Sequence, residues 1–262
     1  MTRVIRAQLI RLLRRKTITL AALGATGFAV MAAVTVFGSA KHGGSGLGGR
    51  DVTLETLAGH GGGTLAFATA ASFLGFFIFV TFIALMASEF SGGTFRALVL
   101  RDPRRRRVLV GQVAGVLIVA AAVAGVAELL TLIVSIPMAA SRDVPTSAWL
   151  SVAGVGDALR NYATVLAGVA GWAVLGTTLA VVFRSAPIAL GLGFVWAGPF
   201  EHLVSNAWTA GNQWFPGLVL QSVIAGGTTE LALGRAVITG LLYVAIAAAA
   251  ALALTSARDI TA

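Results

Sequence analysis

Few residues of this chain can do chemistry, and their scarcity makes each one informative. Of 262 residues, 11% are charged and none is cysteine. Disulfides, thiolate metal sites and thiol nucleophiles are therefore excluded. The histidines are His42, His60 and His202. An intramembrane serine hydrolase needs a base histidine beside its nucleophile. His202 alone lies near an apolar stretch, and no serine stands in a Gly-x-Ser-x-Gly setting. A zinc peptidase fails for want of His-Glu-x-x-His. His42 and His60 have no acidic or cysteine partners at ligand spacing and read as solvated loop residues. A P-loop needs lysine after glycine, but Lys16 follows Arg15 and Lys41 follows Ala40. Neither a metal site nor a catalytic residue is expected. Three acidic positions remain. Glu128 lies within a long apolar stretch, where a carboxylate costs about 2.5–3.5 kcal/mol to insert. It must face a bundle interior, a cavity or a seam between copies. Substrate contact, a polar lock between helices and a hydrogen bond to a nearby Thr or Ser all remain open for it. As a proton site it would serve an ion-coupled carrier. Glu201 and His202 follow Pro199, and read either as a gate at an exit or as a plain interfacial pair. Glu89 closes another apolar stretch and opens a basic loop.

The elements that must position these groups are set by composition. Hydrophobic residues make up 57% of the chain, and mean hydropathy is +0.90. Soluble domains carry roughly 25% charged residues, so a polytopic membrane protein is expected. The 32 glycines suit close helix packing in lipid, as do small-residue spacings such as Gly111 and Gly115. A spanning helix needs about 20 mainly apolar residues. Six stretches qualify: residues 17–38, 65–88, 108–140, 161–183, 186–205 and 236–255. Pro137 and Pro199 lie near the ends of the third and fifth, and Pro199 is expected to break its helix. The first apolar run exceeds the roughly 7–15 residues of a signal peptide, so it is read as an uncleaved first span.

Cations orient the spans. Residues 1–16 hold six, the loop after the second span holds six, and Arg184 and Arg258 follow the fourth and sixth spans. That side carries fourteen cations against Glu89, Asp102 and Asp259; the other carries five against five acids. The basic side is expected to be cytoplasmic, with both termini on it. The net charge of +9 is thus an orientation and anionic-lipid signal, not a nucleic-acid one.

Outside the spans, residues 1–16 place Val4, Ile5, Leu9, Leu12 and Leu13 at helical spacing between arginines, the pattern of an interfacial helix. The loop 39–64 is expected to be flexible at Gly43 and Gly44 and at Gly61, Gly62 and Gly63. Residues 89–107 are the most structured loop. Gly92 and Gly93 break the preceding helix, and Thr94 can cap a short one. Phe95, Leu98 and Val99 share one apolar face. Pro103 ends the helix by restricting Asp102. Arg104, Arg105, Arg106 and Arg107 lead into the next span and are expected to hold phospholipid headgroups or a protein partner.

This loop, SEFSGGTFRALVLRDPRRRRVLVGQ, resembles the ABC-2 type permeases. Glu89, Gly93, Thr94, Arg96, Pro103 and Arg106 fall on that family's pattern, as does the ending Arg258-Asp259-Ile260. Gln112 departs from it, standing where lysine is common. The resemblance implies an all-α type-2 ABC exporter transmembrane domain over residues 1–262, in a bacterial cytoplasmic membrane. It implies a second permease copy, identical or related, and two separate ATPase subunits that hold ATP and Mg²⁺. It implies that the short helix rests in an ATPase groove, with Phe95, Leu98 and Val99 filling it and Glu89 and Arg96 orienting it. It further implies a helical element within 206–235 that dips into the outer leaflet. The substrate expected of so apolar a chain is a hydrophobic or amphipathic drug, antibiotic, peptide or lipid for export.

Overall fold

The computed structural model describes residues 2–40, 52–101 and 104–257. The expectations for His42, Gly43, Gly44, Asp102, Pro103 and residues 258–260 lie outside the described residues. Every regular element described is helical. Six helical segments are long and apolar enough to cross a membrane: Arg15–Ser39, Gly62–Ser91, Arg105–Ala140, Val152–Phe183, Ala186–Ala207 and Leu233–Ala257. All six expected stretches are present, each somewhat longer than hydropathy alone marked.

In chain order, α1 is Thr2–Leu12 and α2 is Arg15–Ser39. The short α3 is Leu54–Ala58, and α4 is Gly62–Ser91. Next come α5, Thr94–Arg101, then α6, Arg105–Ala140, and α7, Val152–Phe183. The fifth span is composite: α8, Ala186–Val195, a π-helical turn, Trp196–Phe200, and α9, Glu201–Ala207. A 3-10 turn, Thr209–Gln213, leads to α10, Pro216–Ile224, and α11 is Leu233–Ala257. At about 1.5 Å per residue, the 36 residues of α6 exceed the roughly 30 Å hydrocarbon thickness. Its arginine-rich first turn therefore has room to stand clear of an apolar layer.

The central contact is α4 against α7. It buries Phe79, Phe82, Ile83, Trp172, Ala173 and Ala180. Gly176 makes the approach possible, because a Cβ there would come within 3.1 Å of the Phe79 carbonyl oxygen. A second cluster closes the end that carries α3, around Phe37, Leu57 and Trp149. Trp149 Nε1 donates to the Leu57 carbonyl at 2.9 Å. The glycines expected to be flexible here are partly ordered. Gly62 and Gly63 start α4 and are buried, because Leu57 and Trp149 occupy the space any side chain would need. Thr53 and Thr56 form a capping box on α3. A third cluster lies at the opposite end, where α5 meets α6, α7 and α11.

Two expectations shift by local chemistry. Pro199 does not break the fifth span. Its ring cannot sit over the carbonyl four residues back, and the chain widens into a π turn instead, with the Glu201 N–H bonded to the Trp196 carbonyl. Thr94 is the first residue of α5 and not its cap. Gly93 flanks the helix at φ 70°, a conformation glycine adopts without steric cost, and its carbonyl accepts from the Ala97 N–H at 3.0 Å.

Candidate functional site

The end that carries α5 is organised by one buried carboxylate. Glu89 ends α4 and is 2% exposed. It accepts from the Arg11 guanidinium of α1 and from Gln112 Nε2 of α6 at 3.2 Å. Arg11 is 45% exposed, so the pair has one wet member and one dry one. A dry carboxylate is tolerated when charge and hydrogen bonds satisfy it, and here three helices supply those groups. α1 is held close because Gln8 is buried against Gly115 of α6, where a Cβ would come within 2.8 Å of it. The expected small-residue spacing thus accommodates α1. Gln112, the departure from the family pattern, is a partner of the motif's own carboxylate. Glu89 was expected to act with Arg96; its printed partners are Arg11 and Gln112 instead. Neither partner was foreseen, because Arg11 lies 78 residues from Glu89 and no local spacing announces it.

The short helix α5 turns the other way from what its apolar face suggested. Phe95 and Val99 are buried, and Leu98 is half-buried. They pack against Phe90, Val108, Leu109, Val181 and Ala251 of their own chain, with the Phe90 and Phe95 rings 4.7 Å apart. They cannot also fill a partner's groove. The outward side presents Thr94, Arg96, Ala97 and Leu100, the last 80% exposed. Periodicity identified which residues share a side; it could not identify the body that side meets. Of the following arginines, Arg106 Nε donates to Ser256 Oγ at 2.6 Å, tying α6 to α11. Arg104 and Arg107 are exposed and Arg105 is half-buried.

At the far end, Glu201 and His202 point apart. Glu201 is 1% exposed and accepts from the N–H groups of Gly217 and Leu218, each at 3.2 Å. It caps the start of α10, where unpaired amide groups favour an anion. Gly217 is required there, since a Cβ would collide with the carboxylate. His202 is exposed, and its Nδ1 lies 2.8 Å from the Gly198 carbonyl. It borders a cavity of about 530 Å³ with Ser72, Phe76, Asn212, Gln221 and Glu230. That cavity lies between α4, the fifth span and α10. α10 is itself buried against α4, α7 and α11, seated over Gly168 and Gly171 of α7.

Glu128 stands apart from both regions. It is 8% exposed on α6, and its Oε1 has no hydrogen-bond partner among the described residues. The expected alternative of a Thr or Ser partner is not met at that oxygen. The nearby Thr64 hydroxyl accepts from Asn161 Nδ2 at 2.9 Å, and Thr131 donates to the Ala127 carbonyl. Among the described residues, no group of three or more His, Cys, Asp or Glu side chains could hold a metal. No known protein family, characterised protein or solved structure matches this chain.

Proposed function

We propose that this protein is the permease subunit of an ATP-driven exporter, non-catalytic itself and driven by a separate ATPase. The Glu89 junction carries this reading. It binds α1, α4 and α6 together beside a short helix whose outer side, Thr94, Ala97 and Leu100, stands free. A force applied to such a helix reaches three long helices through one carboxylate. In this reading two permease copies and two ATPase subunits assemble in a bacterial cytoplasmic membrane, with both termini and α5 on the cytoplasmic side. ATP and Mg²⁺ bind to the ATPases. Closure of the ATPases moves α5 against its Phe95 and Val99 anchor, and rigid-body rocking of the spans exposes the far cavity alternately. Its Phe76 wall and its polar rim of Ser72, Asn212 and Gln221 suit a hydrophobic or amphipathic substrate. Arg104 and Arg107, beside the α1 arginines, face anionic headgroups.

The test is purification of the tagged chain from its native membrane, followed by reconstitution. A co-purifying P-loop ATPase, stimulated by members of a drug, peptide and lipid panel, is the expected result. Transport driven by a proton gradient with no ATPase present would overturn the reading. It would support the second one, an ion-coupled carrier, for which the unpartnered Glu128 oxygen speaks.

A further inference from the structure

A cleft of about 350 Å³ opens between α6 and α7, separate from the cavity beside His202. Glu128 lies at its wall, 92% removed from solvent, with Oε1 unpartnered. Gly125, one turn away on α6, leaves room for Tyr162, whose hydroxyl is already committed to the Ala121 carbonyl at 2.9 Å. The Trp149 indole N–H is likewise committed, to Leu57. The two rings therefore offer faces and not donors. No Lys or Arg lines the cleft. Its basic residue, His60, lies 3.1 Å from Ser151 Oγ through Nδ1. The mouth is apolar, formed by Leu129, Leu150 and Leu159, which are 62%, 78% and 65% exposed.

We propose that this cleft binds the cationic head of a lipophilic ammonium, a long-chain or aryl amine whose tail lies along the apolar mouth. An unpaired carboxylate in a dry site calls for a cation with hydrogen-bond donors or diffuse charge. Aromatic faces add cation–π attraction. The leucine mouth excludes a small hydrated ion such as Na⁺, which would have to shed its water among hydrocarbon groups. A lipophilic ammonium meets each condition, and it would enter sideways from an apolar phase. The proposal does not rest on ATPase coupling, because binding is measured on this chain alone.

Trp149 supplies the readout. The full chain, in an uncharged maltoside micelle, is titrated with an ω-bromoalkyl ammonium and with the ω-bromoalkyl alcohol of equal length. Bromine quenches indole fluorescence on contact, and the Trp149→Phe variant identifies the Trp149 share of the signal. The ammonium is expected to quench at a concentration at least roughly tenfold lower than the alcohol, the factor one modest ionic contact supplies. Glu128→Gln should erase that preference while leaving alcohol quenching unchanged. Ala158→Phe, which fills the cleft from a half-buried position, should weaken both ligands. Equal affinity of the parent chain for ammonium and alcohol overturns the proposal, as does a preference that survives Glu128→Gln. Should Glu128→Gln not fold, the parent comparison and Ala158→Phe still decide it. Competition by phosphatidylethanolamine would identify a membrane lipid as the source of the amine. Competition by an aryl amine alone would identify a free amphiphile.

Discussion

Glu89 and Arg11 form one ion pair, yet losing either member should not cost the same. Arg11→Ala leaves a carboxylate that is 2% exposed with the neutral Gln112 donor, and stranding a buried charge costs about 3–5 kcal/mol. Glu89→Gln leaves Arg11 half in water and removes a charge-assisted bond, which costs about 1–3 kcal/mol. Thermal unfolding in one detergent should therefore rank Arg11→Ala below Glu89→Gln; the reverse order would show that the carboxylate is not dry. In the proposed exporter, Glu89→Ala should also separate ATP hydrolysis from transport. Glu201 is an analogous case at the far end. Glu201→Ala strands the Gly217 and Leu218 N–H groups, a capping loss of about 0.5–2 kcal/mol, and hydrogen exchange should quicken in α10 before other helices. At this scale the sequence marked the unusual carboxylates, because charge is so scarce in apolar stretches. It could not name their partners. Arg11, Gln112 and the start of α10 reach them through tertiary contacts with no sequence spacing to betray them.

Among the elements, the spans were legible and α5 was legible by half. Hydropathy works for spans because a helix satisfies its own backbone and needs only an apolar exterior. The apolar side of α5 was equally visible, but an amphipathic helix says nothing about whether its partner belongs to the same chain. The packing of α5 yields a pair of opposite outcomes. Phe95→Ala should destabilise the protein by about 3–5 kcal/mol, the cost of an emptied aromatic site. Leu100→Asp, at an 80% exposed position, should leave unfolding unchanged. If an ATPase binds this side, Leu100→Asp should weaken its co-purification while Phe95→Ala lowers the folded yield. A similar logic holds for α10. Gly168 faces the side chain of Ile224, which is fully buried, and the Leu220 carbonyl at 3.3 Å. Gly168→Leu should therefore displace α10 and expose its backbone to exchange, even though leucine suits a spanning helix.

For the whole molecule, charge carries the orientation. The start of the described chain and its close lie at the α5 end, since Arg11 meets Glu89 and Arg106 meets Ser256. That end also holds most of the cations, so the positive-inside rule and the helix arrangement agree on which residues share a side. A chain with no cysteine makes the direction easy to measure. Ser91→Cys and Ser141→Cys, both exposed and at opposite ends of the long helices, should respond oppositely to an impermeant maleimide on intact cells. Ser141→Cys should label and Ser91→Cys should label after lysis alone. The opposite pattern would invert the proposed assembly and place α5 beyond the reach of a cytoplasmic ATPase.

The π turn at Trp196–Phe200 gives span five a property best stated as residue count. Each residue advances an α-helix by about 100°, and a π turn accommodates one residue more than an α turn. Removing Ala197 or Gly198 would let the segment revert to a plain α-helix and rotate everything after it by that angle. Glu201 would then leave its seat under α10 and an apolar neighbour would arrive there, with no change in what the span is made of. The position of this carboxylate is thus recorded by a surplus residue in its helix as much as by its own identity.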